Sequence, residues 1–127
     1  AAEIGRAGVQ TRIIDEPLEF KQLATQARYV VASRFHAAVS ALAAGTPTIT
    51  LGWAHKYGML LNDFAVGVFD LPADIKQTDL VDRLRALHDD AQWHTLHQTI
   101  REAGDQLVAR SRTMWDEVHN ILRTVSA

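Results

Sequence analysis

The chain of 127 residues contains no cysteine. That absence excludes disulfides, thiolate metal sites and a cysteine nucleophile, and it fits a reducing, cytoplasmic setting. No apolar run approaches the roughly 20 residues that a bilayer-spanning helix requires. Residues 1–8, AAEIGRAG, hold no apolar stretch of the kind that marks a secretory leader. A basic surplus is missing too, since 13 lysines and arginines stand against 15 aspartates and glutamates, for a formal charge of -2. A nucleic-acid module working through a basic face is thereby excluded, and any anion site must be local. There is no internal repeat, no glycine-rich P-loop and no GxGxxG pattern.

What is present is a core. Apolar residues make up 47% of the chain and charged residues 22%, the balance of a soluble globular domain of one core. The first eight residues read as the tail of a helix that stops at Gly8, so the chain is expected to be a piece of a longer protein. Thr11 to Ile14 is a short apolar run before Asp15-Glu16-Pro17 and predicts a strand. Pro17 opens a helix carrying Phe20, Leu23, Ala24 and Ala27 at helical spacing. Tyr29-Val30-Val31-Ala32 predicts a parallel strand buried on both faces. Ser33 then caps a helix with Phe35, Ala38, Val39 and Leu42 facing the core, and Gly45 ends it.

Thr48 to Leu51 is the next strand, His55 to Phe64 a short helix, and Val66 to Phe69 a further strand. Beyond Pro72 the pattern is helical. Leu80, Leu84 and Leu87 mark one helix, and Trp93, Leu96, Ile100 and Ala103 a second, broken at Gly104. Leu107, Met114, Val118, Ile121, Leu122 and Val125 trace a stripe on a last helix of about five or six turns. The whole predicts one α/β domain: an open, Rossmann-like parallel sheet over about residues 9–70, flanked by helices, with a helical part over about 76–125.

In such a fold ligands bind outside the carboxyl ends of the strands. Two adjacent strand ends here carry Ser33-Arg34-Phe35-His36 and Trp53-Ala54-His55-Lys56. A helix start offers unpaired N–H groups and the positive end of the macrodipole to a phosphate or carboxylate. Arg34 adds a fork for either anion, His36 a proton donor and acceptor near neutral pH, and Lys56 a long cationic stem from the next strand end. Ser33, Arg34, His36 and Lys56 are therefore expected to line one anion-binding cleft. Trp53 has the chemistry to stack on a sugar, although partial burial suits it better. His55 reads as a surface residue. His94 and His97, three apart with no neighbouring ligand motif, make a poor metal site, and no metal is expected.

The run Val30-Val31-Ala32-Ser33-Arg34-Phe35-His36-Ala37-Ala38, followed by Gly45-Thr46-Pro47-Thr48-Ile49 and Lys56-Tyr57-Gly58-Met59-Leu60, resembles the C-terminal part of the polysaccharide pyruvyl transferase family. Members show an S-R-x-H-A helix start, a small-residue helix to G-x-P, a strand and a lysine just beyond. The likeness covers about residues 11–70. It implies one half of a glycosyltransferase-B-like architecture, with extra C-terminal helices. It also implies an enzyme of cell-surface polysaccharide biosynthesis that moves an enolpyruvyl group from phosphoenolpyruvate to two hydroxyls of a sugar, making a cyclic ketal. On that resemblance His36 is the catalytic acid and base, while Ser33, Arg34 and Lys56 bind the donor. Phosphoenolpyruvate enters as donor substrate, with no separate cofactor. The implied partners are that donor, a sugar or glycan acceptor and the N-terminal domain of the same protein, without which this fragment is expected to be inactive. Neither nucleic acid nor a transmembrane segment is implied, and self-association is left open.

Two other readings stand beside it. One is the nucleotide-sugar half of a glycosyltransferase or epimerase, with Asp70 on the ribose hydroxyls. The other is a non-catalytic interaction domain that uses the stripe from Leu107 to Val125. Burial of that stripe against the sheet would remove its main support.

Overall fold

The computed structural model describes Gly8, residues 11–52, 55–72 and 74–126, with the side chains at 55–57 and 68 outside the description. Pro17, whose ring presets a helical φ, starts α1 (Pro17–Gln26). Strand β1 (Val30–Ala32), helix α2 (Phe35–Ala43), strand β2 (Thr48–Leu51), helix α3 (His55–Asp63), a 3-10 turn (Gly67–Phe69) and strand β3 (Asp70–Leu71) follow. The three strands pair in parallel in the order β1-β2-β3, with Val30 beside Thr48, Ala32 beside Thr50 and Leu51 beside Leu71. Helices α4 (Gln77–His88) and α5 (Asp90–Ser126) complete a mixed α/β fold.

Small residues set how closely the layers approach. Ala38, Ala41 and Leu42 of α2 are buried. Leu42 joins Ile49 of β2, Leu61 and Phe64 from α3 and its end, Leu87 of α4 and Ile100 of α5 in one cluster. In β2 the alternation puts Ile49 on that side, and Thr48 and Thr50 on the other face of the strand. The buried threonine hydroxyls are not orphaned: Thr46 donates to the Ala24 carbonyl at 2.7 Å, Thr48 to the Thr46 carbonyl at 2.9 Å and Thr50 to the Asp70 carboxylate.

Both α2 and α3 stop in the same way. In α2 the Gly45 N–H bonds the Leu42 carbonyl and the Thr46 N–H the Ala41 carbonyl, the pair of bonds that closes a Schellman turn around a left-handed residue. Gly45 holds that position with φ 81°. In α3 the matching bonds run from Ala65 to Asn62 and from Val66 to Leu61, and Ala65 takes φ 61°. An L-residue pays for that conformation, and glycine does not. Ala65→Gly should therefore raise stability by about 0.5–1 kcal/mol. Gly45→Ala should lower it by about 1–2 kcal/mol, because its Cβ would also stand 2.8 Å from Cγ of Arg101. Chemical denaturation of the two variants measures both signs.

Several expectations need correction. Thr11 to Ile14 forms no strand: the segment is unpaired, Ile13 is 87% exposed, and Arg12 is tied to Glu19 at 3.3 Å. Adjacent Ile13 and Ile14 point to opposite faces in extended chain, so the run offers no single apolar face. Val66 to Phe69 is a turn and a 3-10 helix, and the strand starts at Asp70. Val66 and Phe69 are both buried; that three-residue spacing suits one side of a 3-10 turn and not the alternation of a strand. Val31, expected inside, is 44% exposed, because among the described residues β1 is an edge strand. Nor does Gly104 break the last helix. One continuous helix of 37 residues, about 55 Å long, runs from Asp90 to Ser126. A single interior glycine costs about 1 kcal/mol, too little to interrupt it, and here it lets Phe64 pack against the backbone. Among the described residues no helix is long and apolar enough to cross a membrane.

Candidate functional site

Strand β1 delivers the chain to the site in extended form, and α2 turns it back over the sheet. The helix starts one residue later than expected. Arg34, not Ser33, occupies the cap position, with φ −119° and ψ 136°, and its side chain makes no capping bond. Its carbonyl accepts the first helical hydrogen bond, from the Ala38 N–H at 3.1 Å. Ser33, Arg34 and His36 are all exposed. The His36 ring meets the half-buried Phe35 ring edge to face at 5.9 Å, a contact that orients the imidazole while leaving it in solvent. A cation and an imidazole thus flank the first turn of a nine-residue helix.

The neighbouring strand end lies beside it, since Ala32 pairs with Thr50. Helix α3 begins four residues after β2 and carries Lys56 as its second residue. The backbone sets the starts of α2 and α3 at the carboxyl ends of adjacent strands. The Lys56 side chain lies outside the described residues, as do that of His55 and all of Trp53. The expected convergence of Lys56 with Arg34 and His36 falls there too.

A further polar pair stands at this edge. Thr50, fully buried, donates to Oδ1 of Asp70 at 2.7 Å. A Cβ built on Gly58, in the first turns of α3, would lie 3.2 Å from Oδ2 of the same carboxylate. Asp70 is thereby held inward beneath the positive end of α3. On the nucleotide-sugar reading Asp70 would have to face a ribose, and this inward hold does not favour that role. The Thr50–Asp70 pair was not foreseen as a unit. Its signal in the sequence is Thr48-Ile49-Thr50, whose alternation places two hydroxyls on one face.

Several of the remaining histidines and aromatics build a joint. Arg28 donates to the carbonyls of Leu87 and His88 at 3.0 and 3.1 Å and pairs with Asp90 at 2.7 Å, closing the end of α4. That guanidinium holds the Asp90 carboxyl below its ordinary value. Trp93 donates from its indole N–H to the Arg28 carbonyl at 2.6 Å, and stacks on His97 at 4.8 Å. His97 Nδ1 lies 2.7 Å from the carbonyl oxygen of Gly45. His97 thus ties α5 to the end of α2. The stripe from Leu107 to Val125 is not buried: past Leu107 its large side chains are exposed, save a half-buried Val118.

Residues 6–55 match the family model of the polysaccharide pyruvyl transferases. The matched segment spans α1, β1, α2 and β2, so it contains Ser33, Arg34 and His36 and stops one residue short of Lys56. It is consistent with the resemblance carried by the S-R-F-H helix start, and it supports an enzymatic parent of transferase type. No curated protein and no solved structure matches the chain.

Proposed function

We propose that this chain is the donor-side, C-terminal half of a polysaccharide pyruvyl transferase, working in the cytoplasm with phosphoenolpyruvate as donor and sugar hydroxyls as acceptor. The observation that carries the reading is the exposed Arg34 and His36 at the start of α2, outside the carboxyl end of β1 and inside the family match. The rest of a glycosyltransferase-B-like parent would supply the acceptor side.

The chemistry suits these groups. Phosphoenolpyruvate presents a phosphate and a carboxylate. The first turn of α2, Arg34 and Lys56 would bind them, with Ser33 at the same turn. His36 would deliver a proton to the enol methylene carbon, leaving oxocarbenium character on its neighbour. A sugar hydroxyl attacks that carbon and gives up its proton. The C–O bond to phosphate breaks, the phosphate leaves as an anion stabilised by the cations, and a second hydroxyl closes the ketal and releases its own proton. One donor and one diol thus give one ketal and one inorganic phosphate.

The test is an assay of the two-domain parent with phosphoenolpyruvate and candidate sugars, following phosphate release and the ketal methyl signal by NMR. Phosphate and ketal in equal amounts are expected. Turnover of a nucleotide sugar, with no response to phosphoenolpyruvate, would sink the reading in favour of a glycosyltransferase. The 127-residue chain alone should bind the donor weakly and turn nothing over, because near-attack geometry needs groups from both halves.

A further inference from the structure

Helix α5 carries one apolar face from end to end, and the domain covers only its first part. Ile100 is buried, and Leu96, Ala103 and Leu107 are packed against the core. Beyond Leu107 the face continues with a strict period of seven. Leu107, Met114 and Ile121 form one column, Val108, Trp115 and Leu122 a second, and Ser111, Val118 and Val125 a third. Eight of these nine positions are apolar, and Val108, Met114, Trp115, Ile121, Leu122 and Val125 are each more than half exposed. A period of 3.5 residues sustained over about three heptads is the pattern of a helix packed along another helix.

The flanking charges and the domain say which helix. In a parallel pair the two domains would compete for the same end of the seam. In an antiparallel pair they sit at opposite ends, and positions bordering the seam face their own kind. The bordering position next to the Leu107 column holds Arg110 and, one heptad on, Glu117. A two-fold axis between Arg112 and Thr113 sets Arg110 against the partner's Glu117 on both sides. The same axis sets Leu107 against the partner's Val118 and Val108 against the partner's Trp115. Sliding the copies one heptad apart opposes Glu117 to Glu117, and sliding them one heptad together opposes Arg110 to Arg110. Of these three registers, only the first is complementary in charge at this position. In that register the partner's Ile121 falls opposite Gly104, where the surface opens into a cavity of about 280 Å³ lined by Leu42, Gly45, Phe64 and Leu107. The cavity beside Gly104, and not the Cβ position that Phe64 already covers, is the room for a knob at that point.

We infer that the exposed half of α5 is the interface of an antiparallel homodimer, in which each copy seats the end of its helix in the Gly104 cavity of the other. Sedimentation equilibrium of the 127-residue chain over a concentration series into the high-micromolar range should show a monomer–dimer equilibrium. Ile121→Glu should yield a monomer with unchanged helix content. Glu117→Arg should weaken the dimer about tenfold or more, and Arg110→Glu combined with Glu117→Arg should restore it to within a few-fold. Because the chain has no cysteine, Val108→Cys combined with Trp115→Cys should cross-link the dimer on oxidation, and this arm does not depend on the charge variants. A chain that stays monomeric throughout the series overturns the proposal and leaves the face to another segment or partner. A double charge swap no tighter than the single one overturns it as well.

Discussion

His36→Ala in the two-domain parent is expected to lower kcat by about 10² or more while leaving the donor KM within a few-fold. A general acid acts on the barrier and contributes little to ground-state binding. Arg34→Ala should differ in kind. A guanidinium that holds a phosphate or carboxylate does so in the ground state as well, so the donor KM should rise together with the loss in kcat. The structure sharpens the comparison, because both side chains are exposed and neither belongs to the core. Surface substitutions of this kind usually change stability by less than about 0.5 kcal/mol. Thermal melts of both variants should therefore overlay the parent's. If His36 were only a packing residue, His36→Ala would melt early and keep its kcat. A stable His36→Ala enzyme with normal kcat would refute the catalytic assignment outright.

The address of this site was legible because it depends on short-range rules. The β-branched Val30-Val31, the helix of small residues from Ala37 to Ala44 and the stop at Gly45 each determine local geometry. The resulting β1-α2-β2 unit is present with its strands in parallel. The elements that came out differently depend on what lies across space. Thr11 to Ile14 stays unpaired although β1 is an edge strand among the described residues, because Ile13 and Ile14 offer no single apolar face to dock. Gly104 reads as a break until Phe64 is seen beside it. Ser33 reads as the cap, but the chain stays extended for one more residue and Arg34 takes that place. The shift places Arg34 at the boundary of the first turn of α2. Asp70 was visible as a lone acid, whereas its bond to Thr50 needs the β2–β3 register.

Ile100→Ala should be among the most damaging single changes to the fold. Ile100 is the only buried residue of α5 among those described. It joins the cluster of Leu42, Leu61, Phe64 and Leu87, so it anchors about 55 Å of helix to the body of the domain. Truncating such a side chain removes its transfer free energy and leaves a cavity, at a cost of about 2–5 kcal/mol. For a domain of this size that corresponds to a fall in Tm of roughly 10 °C or more. Ile121→Ala provides the control. That side chain is 62% exposed, so in dilute solution its loss should cost well under about 1 kcal/mol, with any larger effect growing with protein concentration as a dimer forms. Two melts at two concentrations separate the roles: Ile100 should act on the monomer at every concentration and Ile121 only on the dimer. An Ile100→Ala protein within about 0.5 kcal/mol of the parent would mean that the first turns of α5 are not docked on the domain. The seam beyond Leu107 would then lose the fixed end that sets its register.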